Sequence, residues 1–549
     1  MFWMSWGLLL LLASGAFTSC WAWVAPSSFP GSRLVSGIVG FVGVLVLLAS
    51  FALGNSWSSE GFDGLALPPS WAWSPPLAIE GWSQIPLITL FLLLAWGLAQ
   101  SKQESPSEVP ILLGLASFLG LAMVTLDAQW LVMALTGTLV MAVIALMQSA
   151  GAERRESLGR FVVPQLVGIL FLAMGFAMLS PLAQWMQADY TSRWSPLSLS
   201  FPAWQQEIPA AIQHAESASL AWFRTESLMF ACLCAGLWCL GGGFPFHGGV
   251  LRFLSTASPQ TVALWLAILP LAVLRIGLLV LGALFSEPLA QSGTWLAPIL
   301  VMIVLYFALL AMAQTDFRRM IVATWCANWH AAWLGFLSPR PEAQLAAWGL
   351  LLMASSGAAA TILVMGRLAG SDEERDFDAF AGLQRSRPVE AVALAVGFAV
   401  LAGFPPLGGF LSWLVLFSQA ANAGLTWGIG LLVAWGLLIW TLGWSLRRWL
   451  TGSPRSPVID SRWLSTLFPG ASGDLTHNSE DVPATILLPA GHAQRSGNSG
   501  QWAMIVGLFW LGLLSLVPQV WMQPTRTEWP TLPSFRVLMT ATAPGDRQP

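Results

Sequence analysis

An all-α polytopic membrane protein with about fourteen transmembrane helices is the fold class predicted by three features of the sequence. The 549 residues are 56% hydrophobic and only 9% charged, with a mean hydropathy of +0.68, whereas soluble domains carry roughly 25% charged residues. Apolar runs of about 20 residues, long enough to cross a bilayer as a helix, recur along the whole chain. Trp outnumbers Tyr 32 to 2, and most of the Trp stand at run ends or in the segment 55 to 83, where an amphipathic ring suits the headgroup level.

The first run, 3 to 23, has no positive residue ahead of its apolar stretch and so reads as a span, not a cleaved signal peptide. A second follows at 34 to 54, and the Trp-rich loop after it holds Glu60, Asp63 and Glu80 but no Lys or Arg. The third to sixth spans are expected at 84 to 100, 109 to 126, 128 to 148 and 162 to 183, and the seventh to tenth at 226 to 256, 260 to 284, 294 to 314 and 321 to 337. The last four are expected at 344 to 368, 389 to 422, 425 to 446 and 502 to 522. This divides the chain into 1–108, 109–284, 294–450, a polar Ser/Pro/Gly-rich linker at 451–500, and 501–549 with the last helix and tail. His477 and His492, in the linker, read as solvated.

Loops after odd-numbered spans carry the positive charge: Arg33, Lys102, then Arg154, Arg155 and Arg160, then Arg318 and Arg319, then Arg375, Arg385 and Arg387. Positive loops stay in the cytoplasm, which predicts an outside N-terminus in a bacterial inner membrane. The run 389 to 422 is then one broken crossing, which keeps Arg447 and Arg448 inside and makes the linker cytoplasmic. A net charge of −3 offers no basic field for a nucleic-acid backbone.

Gly243-Phe244-Pro245-Phe246-His247-Gly248-Gly249 and Gly403-Phe404-Pro405-Pro406-Leu407-Gly408-Gly409 share the pattern G-F-P-x-x-G-G, five spans apart. Each is expected to break its helix, to be non-helical over its whole length, and to bring Pro245 onto Pro405 when the halves are superposed. Irregular backbone at membrane depth survives only where protein buries it or water lines it. Two such breaks point to inverted repeats around a path.

Ionisable groups at membrane depth are the candidates for that path. His247 sits at the first break, Arg275 lies well inside the eighth span, and His330 lies midway along the tenth. Glu226 near the start of the seventh span and Arg252 after its break stand closer to the boundaries. A central Arg costs about 2.5 to 3.5 kcal/mol on insertion scales, so Arg275 needs a carboxylate, a carbonyl or a wet cavity beside it. Trp325, Trp329 and Trp333 form an i, i+4, i+8 stripe that reads as packing or a lipid-facing surface. Cys20, Cys232, Cys234, Cys239 and Cys326 all lie in apolar stretches, where a thiol acts as a small hydrophobe, and none stands at zinc spacing with a histidine.

Gly243 to Gly249 followed by Ser258-Pro259, then Ala313-Gln314-Thr315-Asp316-Phe317-Arg318-Arg319 leading into a span, then Gly382-Leu383 and Arg387-Pro388 ahead of Leu401-Ala402-Gly403-Phe404-Pro405-Pro406 and Gly409-Phe410, carry a family likeness. Over about 110 to 450 the chain resembles the antiporter-like membrane subunits of respiratory complex I (NADH:quinone oxidoreductase), as a divergent member. Mrp-type cation/proton antiporter subunits and membrane subunits of inorganic-carbon uptake complexes are similar. The resemblance implies fourteen spans with two inverted five-helix repeats, each holding a broken helix. It also implies other membrane subunits as partners and a role in proton or cation translocation.

It implies, further, a midplane row of lysines, histidines and glutamates joined by water. A relay needs groups that exchange protons near neutral pH, which desolvated Lys and Glu can do. Here the one lysine is Lys102, in a loop. The family's fifth-span glutamate falls at Thr138, its seventh-span lysine at Leu240, its eighth-span lysine near Ala272, and the charged residue after the second break at Trp413. The eleventh-span histidine falls near Ser355 and Ser356. Two readings stand: an ion-translocating subunit using other polar residues, or a non-conducting scaffold of the same fold. A membrane enzyme acting in the outer loops would need an acidic cluster, and Glu60, Asp63 and Glu80 are scattered. No nucleotide loop, flavin fingerprint, nucleophile elbow or iron-sulfur spacing is present, so no catalytic residue, cofactor or bound nucleotide is expected of this chain.

Overall fold

The computed structural model describes residues 81–100, 108–148, 152–190, 220–368, 382–451 and 498–516, together with Phe201 and Trp204. The expected spans at 3 to 23 and 34 to 54, most of the loop 55 to 83, and residues 452 to 497 of the linker lie outside the described residues. Those described are almost wholly helical. In chain order they form α1 (Gly81–Gln100), α2 (Glu108–Val124), α3 (Ala128–Gln148), α4 (Ala152–Tyr190), α5 (Leu220–Leu240), α6 (His247–Thr256) and α7 (Pro259–Ile276). After a π-helical stretch at Gly277–Gly282 come α8 (Ser286–Met312), α9 (Phe317–Phe336), α10 (Pro341–Leu368), the short α11 (Leu383–Ser386), α12 (Pro388–Ala402), α13 (Gly408–Ala423), α14 (Leu425–Thr451) and α15 (Asn498–Leu516). Twelve of the expected spans thus have helices under them. Six helices among the described residues are long and apolar enough to cross a bilayer.

Lipid is as apolar as a neighbouring helix, so apolarity alone does not choose the centre of a membrane bundle; a central helix is covered by other helices, whereas one with a lipid face keeps part of its surface exposed. The apolar windows of α7 and α10 are 89% and 94% buried, against 33–44% for α3, α4, α8 and α14. So α7 and α10 form the axis of the bundle, and Met133, Leu170, Met302 and Trp440 of the outer helices face outward. The Trp stripe of α9 is buried, which makes it packing and not a lipid-facing surface.

Both proline motifs interrupt their helices, and the interruptions are shorter than the motifs. The first non-helical stretch is 241–246 and the second 403–407, so His247, Gly248, Gly249, Gly408 and Gly409 are already helical. The register of the two breaks also differs from the motif alignment. Gly242 (φ +71°) and Gly403 (φ +63°) are the left-handed residues that end the first halves. The next N–H turns back five residues in each case, Gly243 to the Trp238 carbonyl and Phe404 to Ala399. Phe246 N–H then bonds the Gly243 carbonyl, as Leu407 N–H bonds that of Phe404. Pro245 is therefore equivalent to Pro406, not to Pro405. The misalignment has a physical source: a run of three glycines, Gly241 to Gly243, lets the left-handed turn be taken one residue earlier relative to Phe-Pro, and Pro405-Pro406 fits either phase.

Each broken helix lies antiparallel on the helix before it. Along α4, Gly175 meets Leu233, Gly168 meets Gly236 and Leu240, and the Arg160 carbonyl meets Gly249, so contact runs on through the first break. Along α10, Arg367 meets Glu390, Thr361 meets Gly397, Gly357 meets Leu401, and Met353 meets Gly409. At the far end Ser338 Oγ bonds Gln419 Oε1 at 3.2 Å. The stretch from Pro388 to Ala423 therefore makes one crossing in two halves. Both crossings use facing glycines: a Cβ at Gly168 would lie 3.1 Å from the Gly236 oxygen, and one at Gly357 would lie 2.9 Å from that of Gly397. Gly236 and Gly397 each stand six residues before the left-handed glycine, in agreement with the one-residue shift.

Candidate ion path at the two breaks

Ending a helix inside a membrane leaves carbonyls without intrahelical partners. At the first break Gln165 of α4 supplies the donor, its Nε2 reaching the Leu240 carbonyl at 3.1 Å and that of Cys239 at 3.4 Å. Trp238 Nε1 donates to the Phe244 carbonyl at 2.8 Å. On the other side of the turn, the Phe244 N–H donates to His330 Nε2 at 3.0 Å. His330 Nδ1 lies 2.7 Å from the Cys326 carbonyl. A carbonyl only accepts, so the proton is on Nδ1, and His330 is a neutral imidazole with both nitrogens engaged.

His247 opens α6 within an aromatic surround. Its ring stacks on Phe244 at 5.4 Å and meets the edges of Tyr306 at 5.9 Å and Phe307 at 4.9 Å. Phe307 in turn stacks on His330 at 4.8 Å, so one ring separates the two histidines. At the second break Asn328 Nδ2 donates to the Leu401 carbonyl at 3.2 Å and Trp435 Nε1 to that of Ala402 at 2.9 Å. Leu240 and Leu401, equivalent in the shifted register, thus both have amide caps.

The other candidate residues stand apart from this pair. Arg275 is buried at the end of α7, and its Nη1 donates to the Thr125 carbonyl at 3.1 Å in the turn between α2 and α3. Asp127 of that turn caps α3 instead, accepting from the Gln129 and Trp130 N–H groups. Burial pushes its carboxyl above the usual range while those two bonds lower it. Glu226 is half-buried, fourteen residues before the end of α5, or about 20 Å along the helix. Arg252 is half-buried five residues beyond His247, about 140° round α6. The structure therefore joins His247 and His330 and leaves Arg275, Glu226 and Arg252 outside their cluster.

The family model for the transmembrane part of NADH:quinone oxidoreductase and Mrp antiporter proteins matches residues 127–438, more than half of the chain. The chain belongs to this antiporter family. NADH-quinone oxidoreductase subunit N of Heliobacterium modesticaldum is 30% identical over 242 residues, covering 42% of this chain and 50% of that protein. The same subunit of Desulfovibrio desulfuricans is 30% identical over 247 residues, covering 42% and 48%. The chain thus spans about half the length of the curated relatives it matches. The Mrp complex of Dietzia sp. contains a chain of similar fold, with a TM-score of 0.71 at 18% identity, covering 98% of this chain and 100% of that one. Respiratory complex I of Thermus thermophilus contains another, at 0.67 and 17%, covering 92% and 100%.

The positions at which the antiporter family resemblance expects its relay are neutral and closely packed. Thr138 is buried, with its hydroxyl bonded back to the Ala134 carbonyl at 2.9 Å. Leu240, Ala272 and Trp413 are buried. Trp413 lies against Gly403, where a Cβ would be 2.7 Å from the indole. Ser355 accepts from Trp325 Nε1 at 3.0 Å, and Ser356 is buried beside it. Sequence reasoning missed Gln165, Asn328 and the Arg367–Glu390 pair. The amides carried a signal, since a lone Gln or Asn inside an apolar run requires a partner. Glu390, in the first turn of α12, reads in sequence only as a favourable charge at a helix start.

Proposed function

We propose that this chain is a membrane subunit of a larger complex I-like or Mrp-like assembly that keeps the family's broken-helix frame but does not pass protons by a lysine relay. One observation carries this reading: Thr138, Leu240, Ala272 and Trp413 are buried and none can titrate. The caps at the breaks, Gln165 and Asn328, are amides with no proton to exchange near neutral pH. The subunit reconstituted alone in liposomes should show no proton flux above empty vesicles. Leu240→Lys should not restore flux, because a lone buried ammonium without its glutamate loses its proton or disturbs the packing. Flux that His247→Ala abolishes would replace this reading with a rerouted path. The half-buried His247 at the first break is what favours that second reading. The scaffold role fits a complex I-like or an inorganic-carbon uptake assembly equally.

We infer, further, that two inverted repeats, 109–284 and 294–450, surround the breaks, that the N-terminus is outside, and that 451–500 is cytoplasmic. Support comes from the Gly382 N–H, which bonds the Trp449 carbonyl at 2.8 Å and so joins the ends bearing Arg385, Arg387, Arg447 and Arg448. Single cysteines at Ser453 and Ser58 should label from opposite sides of the membrane. Equal labelling from outside would exclude this topology.

A further inference from the structure

We propose that α9 couples the two breaks mechanically, with Asn328 and His330 as the positioning residues through which displacement of one break reaches the other. These residues are two apart, so they project about 200° from one another on opposite sides of the helix. Asn328 holds the Leu401 carbonyl, two residues before the left-handed Gly403, and His330 holds the Phe244 N–H, two residues after the left-handed Gly242. Each side chain is also tied to the backbone of α9. Asn328 Nδ2 bonds the Thr324 carbonyl at 2.9 Å and His330 Nδ1 the Cys326 carbonyl at 2.7 Å. Asn328 makes both bonds through its one amide nitrogen and His330 through its two ring nitrogens, so each side chain ties a break to the backbone of α9 and passes a shift on to the helix.

The remaining contacts of α9 point the same way. Trp329, between the two residues, lies against Gly241 at the first break. His330 and Trp333 both meet Trp238, whose indole N–H holds the Phe244 carbonyl. At its other end Asp316 caps the helix, and Arg318 Nη2 donates to the Ala257 carbonyl, just past the second half of the first broken helix. Packed interiors deform between discrete arrangements and not continuously, so a buried rod held on both sides moves as a unit. This coupling does not require that the chain move protons.

Hydrogen exchange on the full chain in nanodiscs tests it, read at the amides of Gly243 and Phe246 in one break and Phe404 and Leu407 in the other. His330→Ala should speed exchange at Phe404 and Leu407, on the far side of α9, by about 5-fold or more, and Asn328→Ala should speed it at Gly243 and Phe246. Coupling free energy is reciprocal, so a distant effect should appear in both directions. His330→Gln, which restores an acceptor toward Phe244, should return the distant break to the parent rate. Changes confined to each residue's own break would overturn the proposal. So would uniform acceleration through α2 and α14, the mark of ordinary core packing. If an alanine variant does not fold, Asn328→Ser and His330→Asn carry the same comparison.

Discussion

Replacing Glu390 with glutamine is expected to destabilise the fold by about 3 to 5 kcal/mol, the usual cost of removing one partner from a buried ion pair. Glu390 Oε1 lies 3.4 Å from Arg367 Nε, and the two side chains are only 9% and 8% exposed. Attraction between them is little screened there, and the substitution removes the carboxylate charge that faces that guanidinium across the α10–α12 contact. The loss should appear as a lowered unfolding midpoint in detergent. The paired change Arg367→Leu with Glu390→Leu should recover most of it, because well-packed apolar residues replace a buried pair at little cost. A single variant within 0.5 kcal/mol of the parent, on the order of an exposed pair, would mean that this end of the bundle is wet.

The same pair marks the boundary of what the sequence made legible. Span positions were readable because about 20 apolar residues can satisfy their backbone in a bilayer only as a helix. Charge asymmetry argued for one broken crossing at 389 to 422, and the contact order along α10 follows that path. Partners were not readable, because they lie far apart in the chain. The bond from Phe244 to His330 spans 86 residues, and that from Arg275 to Thr125 spans 150. Arg275 calls for a carboxylate, a carbonyl or a wet cavity, and the sequence does not say which; the structure brings the Thr125 carbonyl to it. The register of the breaks departs from the motif alignment for a different reason. Backbone geometry depends on which glycine takes the left-handed turn, and tandem glycines and prolines leave that choice to packing.

Packing at the first break leads to the second large effect, at Gly241. A Cβ there would sit 1.9 Å from Trp329 Cζ2, well inside van der Waals contact. The indole has little room to retreat, since Trp329 stacks on Trp325 at 6.3 Å and meets Trp333 at 6.0 Å. Gly241 is not one of the positive-φ glycines, so an alanine would be penalised by space alone. Gly241→Ala is therefore expected to cost about 3 kcal/mol, the upper end for overpacking a core. Trp329→Leu alone should cost a similar amount by opening a cavity. In the double variant the methyl enters the room the indole left. The two costs should then fall short of their sum by about 1 kcal/mol or more in a double-mutant cycle. Strict additivity would show that the indole does not fix the position of the broken helix, and that the first break is held by its hydrogen bonds alone.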